Sequence, residues 1–202
     1  RMSHSKLAKD IIVATTTNSE DDSIEEECAQ YDIKCFRGSD GDVLGRIYNA
    51  AMVSGVKNIM RFCCDNPFAD GNVSDRAIEI YNTGNFDYVN TNGLPLGVGV
   101  EIFSFSWLEK AHKEGLEPYQ REHVTPYIID NAINKGAYKS DRDYSNYRLT
   151  VDEEKDWEFA QAIYEKLYQS NPLFTYLDVI ALLLKEPEIR NINAGVMQKP
   201  VK

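Results

Sequence analysis

Two aspartates of this sequence stand in the same setting. Asp65 ends an apolar run, residues 58–65, that is rich in strand formers, and Pro67 stops a strand from going further. Asp152 follows the apolar residues 147–151 in the same way. If both strands lie in one sheet and point the same way, the two carboxylates arrive at its carboxyl edge, where open α/β sheets bind ligands. Two such oxygen donors, completed by substrate phosphates and waters, suit Mg2+. Taken singly, a turn at Asp65 and a helix cap at Asp152 explain each residue as well.

Other groups are candidates for chemistry. Asp40 and Asp42 form an Asp-x-Asp of the kind that holds a metal-bound nucleotide sugar, although a turn followed by an N-cap accounts for the same pattern. Arg121, Glu122, His123, Thr125 and Tyr127 put a cation, an acid, an imidazole and two hydroxyls within seven residues. That suits a polar pocket wall, with Arg121 as a bidentate donor to an anion, or else a solvated helix entry. No second His or Cys stands at zinc-ligand spacing. Glu101 lies inside an apolar stretch, and an acid there needs an exposed face or a partner. Arg46 and Arg61 are embedded in expected elements, and Arg46 could reach a phosphate from the first turns of its helix. The glycine-rich and catalytic signatures of P-loop, dinucleotide-binding, serine-hydrolase and zinc-protease folds are absent.

The elements that must position these residues alternate. Strands are expected at 10–14, 34–36 and 58–64, with helices opening at Ser23, Asp42 and Ser74. The stripe Val43, Leu44, Ile47, Tyr48 and Ala51 faces a core, and Gly55 and Gly84 end their helices. The rhythm implies right-handed crossovers and a mainly parallel sheet. It then changes: strands at 87–90, 98–105 and 147–151 are separated by two short helices, begun at Ser106 and at Thr125-Pro126. A long helix follows Asp152 with Trp157, Ala160, Ile163 and Leu167 on one face, and another runs from Thr175 to Pro187. Residues beyond it are expected to be a loosely held polar tail. The fold class is therefore α/β, a Rossmann-like mainly parallel sheet flanked by helices with a mixed or antiparallel arm at about 94–149. The main domain spans 1–170, with a C-terminal helix and tail at 171–202.

With 202 residues, 43% of them hydrophobic, the chain can bury one core. A net charge of -10, from 32 acidic and 22 basic residues without a basic block, argues against nucleic acid as a partner. Four cysteines, two of them adjacent, fit neither a disulfide framework nor a zinc site, and are expected to be reduced core residues of a cytoplasmic protein. No run is long and apolar enough to cross a membrane. The first residues resemble the end of a helix that begins upstream.

Taken in order, the segments Ile11 to Thr17, Phe36 to Ser39 with Asp42 to Arg46, Asp65 to Phe68, Val100 to Phe103, Arg121 to Tyr127 and Arg148 to Asp152 resemble the cytidylyltransferase family, in its spore-coat-polysaccharide branch. The resemblance runs from Ile11 to about Leu167. It implies transfer of CMP from CTP to an acidic sugar or sugar phosphate with release of pyrophosphate. Surface polysaccharide or glycan biosynthesis is the implied setting, Mg2+ the cofactor and a homodimer through the arm the assembly. It also implies that Asp65 and Asp152 hold the metal, and these two with Arg46 are the candidate catalytic residues. Thr15, Ser39, Glu101, Arg121, Glu122, His123 and Tyr127 would contact substrates. Positioning and electrostatics would supply most of the catalysis.

Two departures stand out. Gly99 occupies a place where this branch usually carries Asp, which would remove one acceptor contact. The strand and triphosphate loop with which the family begins have no match in residues 1–9. A further strand upstream is therefore expected between the strands at 10–14 and 58–64. Without it, buried backbone groups would stay unpaired at about 1–3 kcal/mol each, and the chain would lack most of its phosphate donors. The competing expectations are a metal-dependent glycosyltransferase using Asp40 and Asp42, and a non-catalytic domain that keeps the fold.

Overall fold

The computed structural model describes residues 1–198 and has an α/β architecture. β1 (Ile12–Thr16) and β2 (Lys34–Gly38) pair in parallel, joined through α1 (Asp22–Gln30). Then α2 (Val43–Ser54) leads to β3 (Asn58–Arg61), and α3 (Gly71–Thr83) leads to β4 (Tyr88–Asn92). β5 (Glu101–Ser104) runs directly into α4 (Phe105–Glu114), followed by α5 (Pro118–His123), α6 (Pro126–Asn131) and β6 (Lys135–Lys139). The chain ends in α7 (Glu154–Leu167), α8 (Tyr176–Lys185) and α9 (Pro187–Asn191).

The second sheet has the order β3-β5-β4-β6, with β5 antiparallel to both its neighbours and β4 parallel to β6. β3, β4 and β6 therefore point one way, and the start of β5 lies beside the end of β3. Among the described residues no ladder joins β1 to β3. No helix among the described residues is long and apolar enough to cross a membrane.

Local chemistry explains the elements that hold the site. The Asp42 carboxylate accepts from the Gly45 amide at 2.8 Å, and α2 stops at Gly55 in a left-handed conformation, φ 66°, that glycine adopts without strain. Thr175 and Asp178 cap α8 reciprocally. One hydrophobic cluster joins Phe68, Val98, Leu149, Phe159, Ile163, Phe174, Val179 and Ile189, so α7, α8 and α9 share a core with the loops beside Asp65. A second packs Leu44 and Ala51 of α2 against Phe103, Leu108, Val124 and Ile128.

Several expectations are corrected. β3 ends at Arg61, with Phe62 to Asp65 leaving the sheet in a turn, and it is only partly buried. Residues 147–151 form no strand but a single bridge, Leu96 to Arg148. α3 is capped by Asp70, which leaves Ser74 inside the helix with its hydroxyl on the Asp70 carbonyl. α4 is capped by Ser104 rather than Ser106. No side-chain cap forms at Ser23, because α1 is entered through a 3-10 turn, Ser19–Asp21. Residues 6–9 are not helical: Ser5 and the amides of Lys6 and Leu7 bind the Asp75 carboxylate and dock the segment on α3. Trp157 faces solvent, and Phe159 fills the core position instead. Cys28 is buried, Cys35 and Cys63 are half-buried and Cys64 is exposed, all four as free thiols. The expected loose tail contains α9 with Ile189 buried, followed by buried Asn193, while residues 199–202 lie outside the described residues.

Candidate active site

Asp65 and Asp152 are brought together by main chain. The Val151 amide donates to the Asp65 carbonyl at 2.9 Å, which fixes the turn after β3 against the segment entering α7. Burial raises the Asp65 pKa, and the neighbouring Asp152 charge raises it further, as two carboxylates sharing one site do. Arg61 and Arg148 act in the opposite sense on Asp65.

Asp152 is held by Arg148, whose Nη2 donates to Asp152 Oδ2 at 2.6 Å. The same guanidinium makes a two-pronged bond to Asp156, at 2.9 and 2.8 Å. Asp156 is fully buried and also accepts from the Asp152 and Glu153 amides, each at 3.1 Å, and from Asn193 Nδ2 at 3.0 Å. Burial opposes its ionisation. The hydrogen bonds from Arg148, Asn193 and the two amides outweigh that cost and bring its pKa down to about 2.

Glu101 starts β5 directly across from Arg61, the last residue of β3. Its Oε2 accepts from Arg61 Nη1 at 2.7 Å, and its Oε1 accepts from the Tyr88 and Thr125 hydroxyls at 2.5 and 2.8 Å. The strand-interior acid thus has partners on both oxygens. Burial and the Glu101 charge push the Tyr88 phenol upward, and burial pushes the Cys63 thiol up despite nearby Arg61.

The remaining predicted residues lie elsewhere or are engaged. Arg121 ion-pairs with Asp42 and donates to the His112 carbonyl at 2.9 Å, tying α5 to α2 and α4. Burial raises the Asp42 pKa, and the bonds from Arg121 and Gly45 more than offset it, leaving that carboxylate below its usual range. Asp42 is therefore occupied as cap and ion-pair partner, not free to act with exposed Asp40. Tyr127 donates to Glu114, and that bond pushes its phenol up to about 12. Glu122 is exposed and His123 half-buried, so only Thr125 of this motif reaches Glu101. Thr15 donates to Asp21 at 2.7 Å, and the Ser39 carbonyl accepts from Arg46 Nη1 at 2.5 Å. Arg46 Nε is buried with no protein partner among the described residues. No hydrogen bond or ion pair among them links Thr15, Ser39 or Arg46 to Asp65 or Asp152. At Gly99 a Cβ would come within 2.7 Å of the Thr91 hydroxyl, which bonds the Val100 amide, so an aspartate fits there only if Thr91 moves.

Arg148, which lies in a segment of the family resemblance but carries no role there, and Asp156, Asn193 and Tyr88 are not among the residues expected at the site. The four-residue steps from Arg148 to Asp152 to Asp156 were a usable signal for the first two. Nothing in the sequence pointed from Asn193 to a site 37 residues earlier.

The α/β fold and the comparisons with known proteins together support an enzyme of the nucleotidyltransferase type. The cytidylyltransferase family matches residues 1–180, and the chain belongs to it. It is 41% identical over 205 residues to an uncharacterized protein of Methanocaldococcus jannaschii, covering 98% of this chain and 83% of that one. It is 28% identical to the spore coat polysaccharide biosynthesis protein SpsF of Bacillus subtilis, over 92% and 79% of the two chains. The solved structure of a cytidylyltransferase from Leptospira borgpetersenii superposes with a TM-score of 0.88 at 30% identity, over 98% and 85%. A molybdopterin-guanine dinucleotide biosynthesis protein A from Archaeoglobus fulgidus shares the fold alone, at TM-score 0.51 and 16% identity, over 75% and 78%.

Proposed function

We propose that the protein transfers CMP from CTP to a hydroxyl of an acidic sugar or sugar phosphate, for polysaccharide or glycan synthesis. The hydroxyl oxygen attacks the α-phosphorus, the bond to the bridging oxygen breaks, pyrophosphate leaves and the hydroxyl proton passes to solvent. The family match and the resemblance to SpsF support this reading. The observation that carries it is the pairing of Asp65 with Asp152 across the Val151 amide.

No group of three or more His, Cys, Asp or Glu side chains is placed to hold a metal among the described residues. The donor set nevertheless fits Mg2+: two carboxylates that repel each other, on an exposed rim where phosphate and water oxygens complete six ligands. The chemistry Mg2+ supplies when bound is neutralisation and orientation of the phosphate being attacked. Asp65 and Asp152 would hold it, and Arg148 keeps the Asp152 carboxylate aimed. Arg61, fixed by Glu101, which Tyr88 and Thr125 hold in turn, supplies a stationary guanidinium near Asp65. Arg46, with an unused buried Nε, is a further donor for a phosphate at the end of β2.

CTP-dependent release of pyrophosphate, measured with a panel of acidic sugars and sugar phosphates, tests the proposal. At least one acceptor is expected to drive turnover, and Asp65→Asn or Asp152→Asn to reduce it by about 100-fold or more. Release with no acceptor in the panel, or full turnover in Asp65→Asn, would overturn it.

A further inference from the structure

The segment after α9 reaches back to the proposed metal site. Asn193 is buried and its Nδ2 donates twice, to Asp156 Oδ1 at 3.0 Å and to the Arg148 carbonyl at 3.3 Å. Asp156 in turn fixes the Asp152 and Glu153 amides and the Arg148 guanidinium, and Arg148 holds the Asp152 carboxylate. One connected set of hydrogen bonds thus runs from Asn193 to a single oxygen of Asp152. Every polar atom of the Asp156 carboxylate is used within it, and the carboxylate itself is fully buried.

Asp156 is itself fully buried, and Asn193 lies beyond residue 180, where the family match ends. We infer that Arg148, Asp156 and Asn193 form a brace that orients the Asp152 carboxylate, so that the segment after α9 sets the affinity of the site for a divalent cation. The inference rests on the assignment of Asp152 as a metal ligand. Partners of metal-ligating carboxylates commonly contribute 10–100-fold to affinity because they restrict the ligand's orientation. The three residues are positioning residues, since none of them would touch the ion.

Mn2+ binding in the presence of CTP, followed by electron paramagnetic resonance on the full-length protein well below the melting temperature of each variant, tests the brace. Asn193→Ala removes both of its bonds and is expected to weaken Mn2+ binding roughly 10-fold, with Asp152→Asn at least as weak. Val179→Ala, a core truncation in α8, should lower the melting temperature and leave Mn2+ affinity unchanged, which separates orientation from stability. If Asn193→Ala does not fold, Arg148→Lys, which keeps the charge and loses the two-pronged geometry, takes its place with the same expectation. Wild-type affinity in Asn193→Ala, or in its replacement, alongside weakened Asp152→Asn refutes the brace alone. Wild-type affinity in Asp152→Asn removes the metal assignment and the brace together. Equal loss in Val179→Ala shows that global loosening is responsible and also refutes the brace.

Discussion

The two arginines that face Asp65 are held in opposite ways. Arg61 and its partner Glu101 lie directly across from each other on paired strands, 40 residues apart in the chain, and the ladder alone brings them together. Arg148 and its partners Asp152 and Asp156 are four and eight residues apart, in a segment with no strand of its own. The sheet supplies regular backbone geometry and leaves only side chains to be satisfied. The irregular segment has no such frame, so a buried carboxylate must collect its backbone amides as well as its guanidinium. The comparison teaches that a charged group can stand in for a missing ladder, provided that its lone pairs are filled.

Three perturbations sharpen that contrast, taken from the largest effect down. Replacing Asp156 by Ala takes the buried acceptor from two amides and from Arg148, which keeps only the more exposed Asp152 as an anionic partner, and should lower unfolding free energy by about 3–5 kcal/mol in denaturant titration. A loss below 1 kcal/mol would mean that the segment does not depend on its buried acid. The second is acid. The Asp156 pKa is brought down to about 2 in the folded protein, from an ordinary 3.8, so its contribution is fully present above about pH 4 and fades as pH falls through 2. The shift corresponds to about 2 kcal/mol, and Asp156→Asn should flatten that part of the stability profile. Third, Glu101→Gln keeps the shape of the sheet-borne cluster but removes its charge. It should cost only about 1–2 kcal/mol, because the ladder persists. A greater loss than that from Asp156→Ala would reverse the comparison.

The same contrast governs what could be read from the residues. Some signals confined to a few neighbours were legible: the Asp42 cap, the glycine that ends α2 and the start of α8 after Thr175 stand where pattern puts them, whereas the caps expected at Ser23, Ser74 and Ser106 do not. The alternation of strands and helices gave the α/β class, and the isolated acid at 101 called for a partner or an exposed face, of which the structure supplies the partner. Apolar runs were less dependable. Residues 147–151 have strand composition, yet their apolar side chains serve packing beside α7 while their backbone bonds to Leu96, Asp65, Tyr144 and the Asn193 side chain instead of a ladder. β6, with Gly136 and two lysines, carries too little apolar pattern to be noticed, and α5 was hidden inside the motif from Arg121 to Tyr127. Asp156 looks like one more charge in the acidic stretch that opens α7. Only the long-range approach of Asn193 and Arg148 makes it a buried centre. The pairing of Asp65 with Asp152 was legible, but its cause was not, since a turn and a single amide do what two strands were expected to do.

That amide has a consequence of its own. The bond from Val151 to the Asp65 carbonyl joins the two carriers by main chain, so its proton can exchange with solvent only when the carriers part. The exchange rate of one backbone proton therefore counts how often the pair of carboxylates comes undone, independently of substrate, nucleotide or turnover.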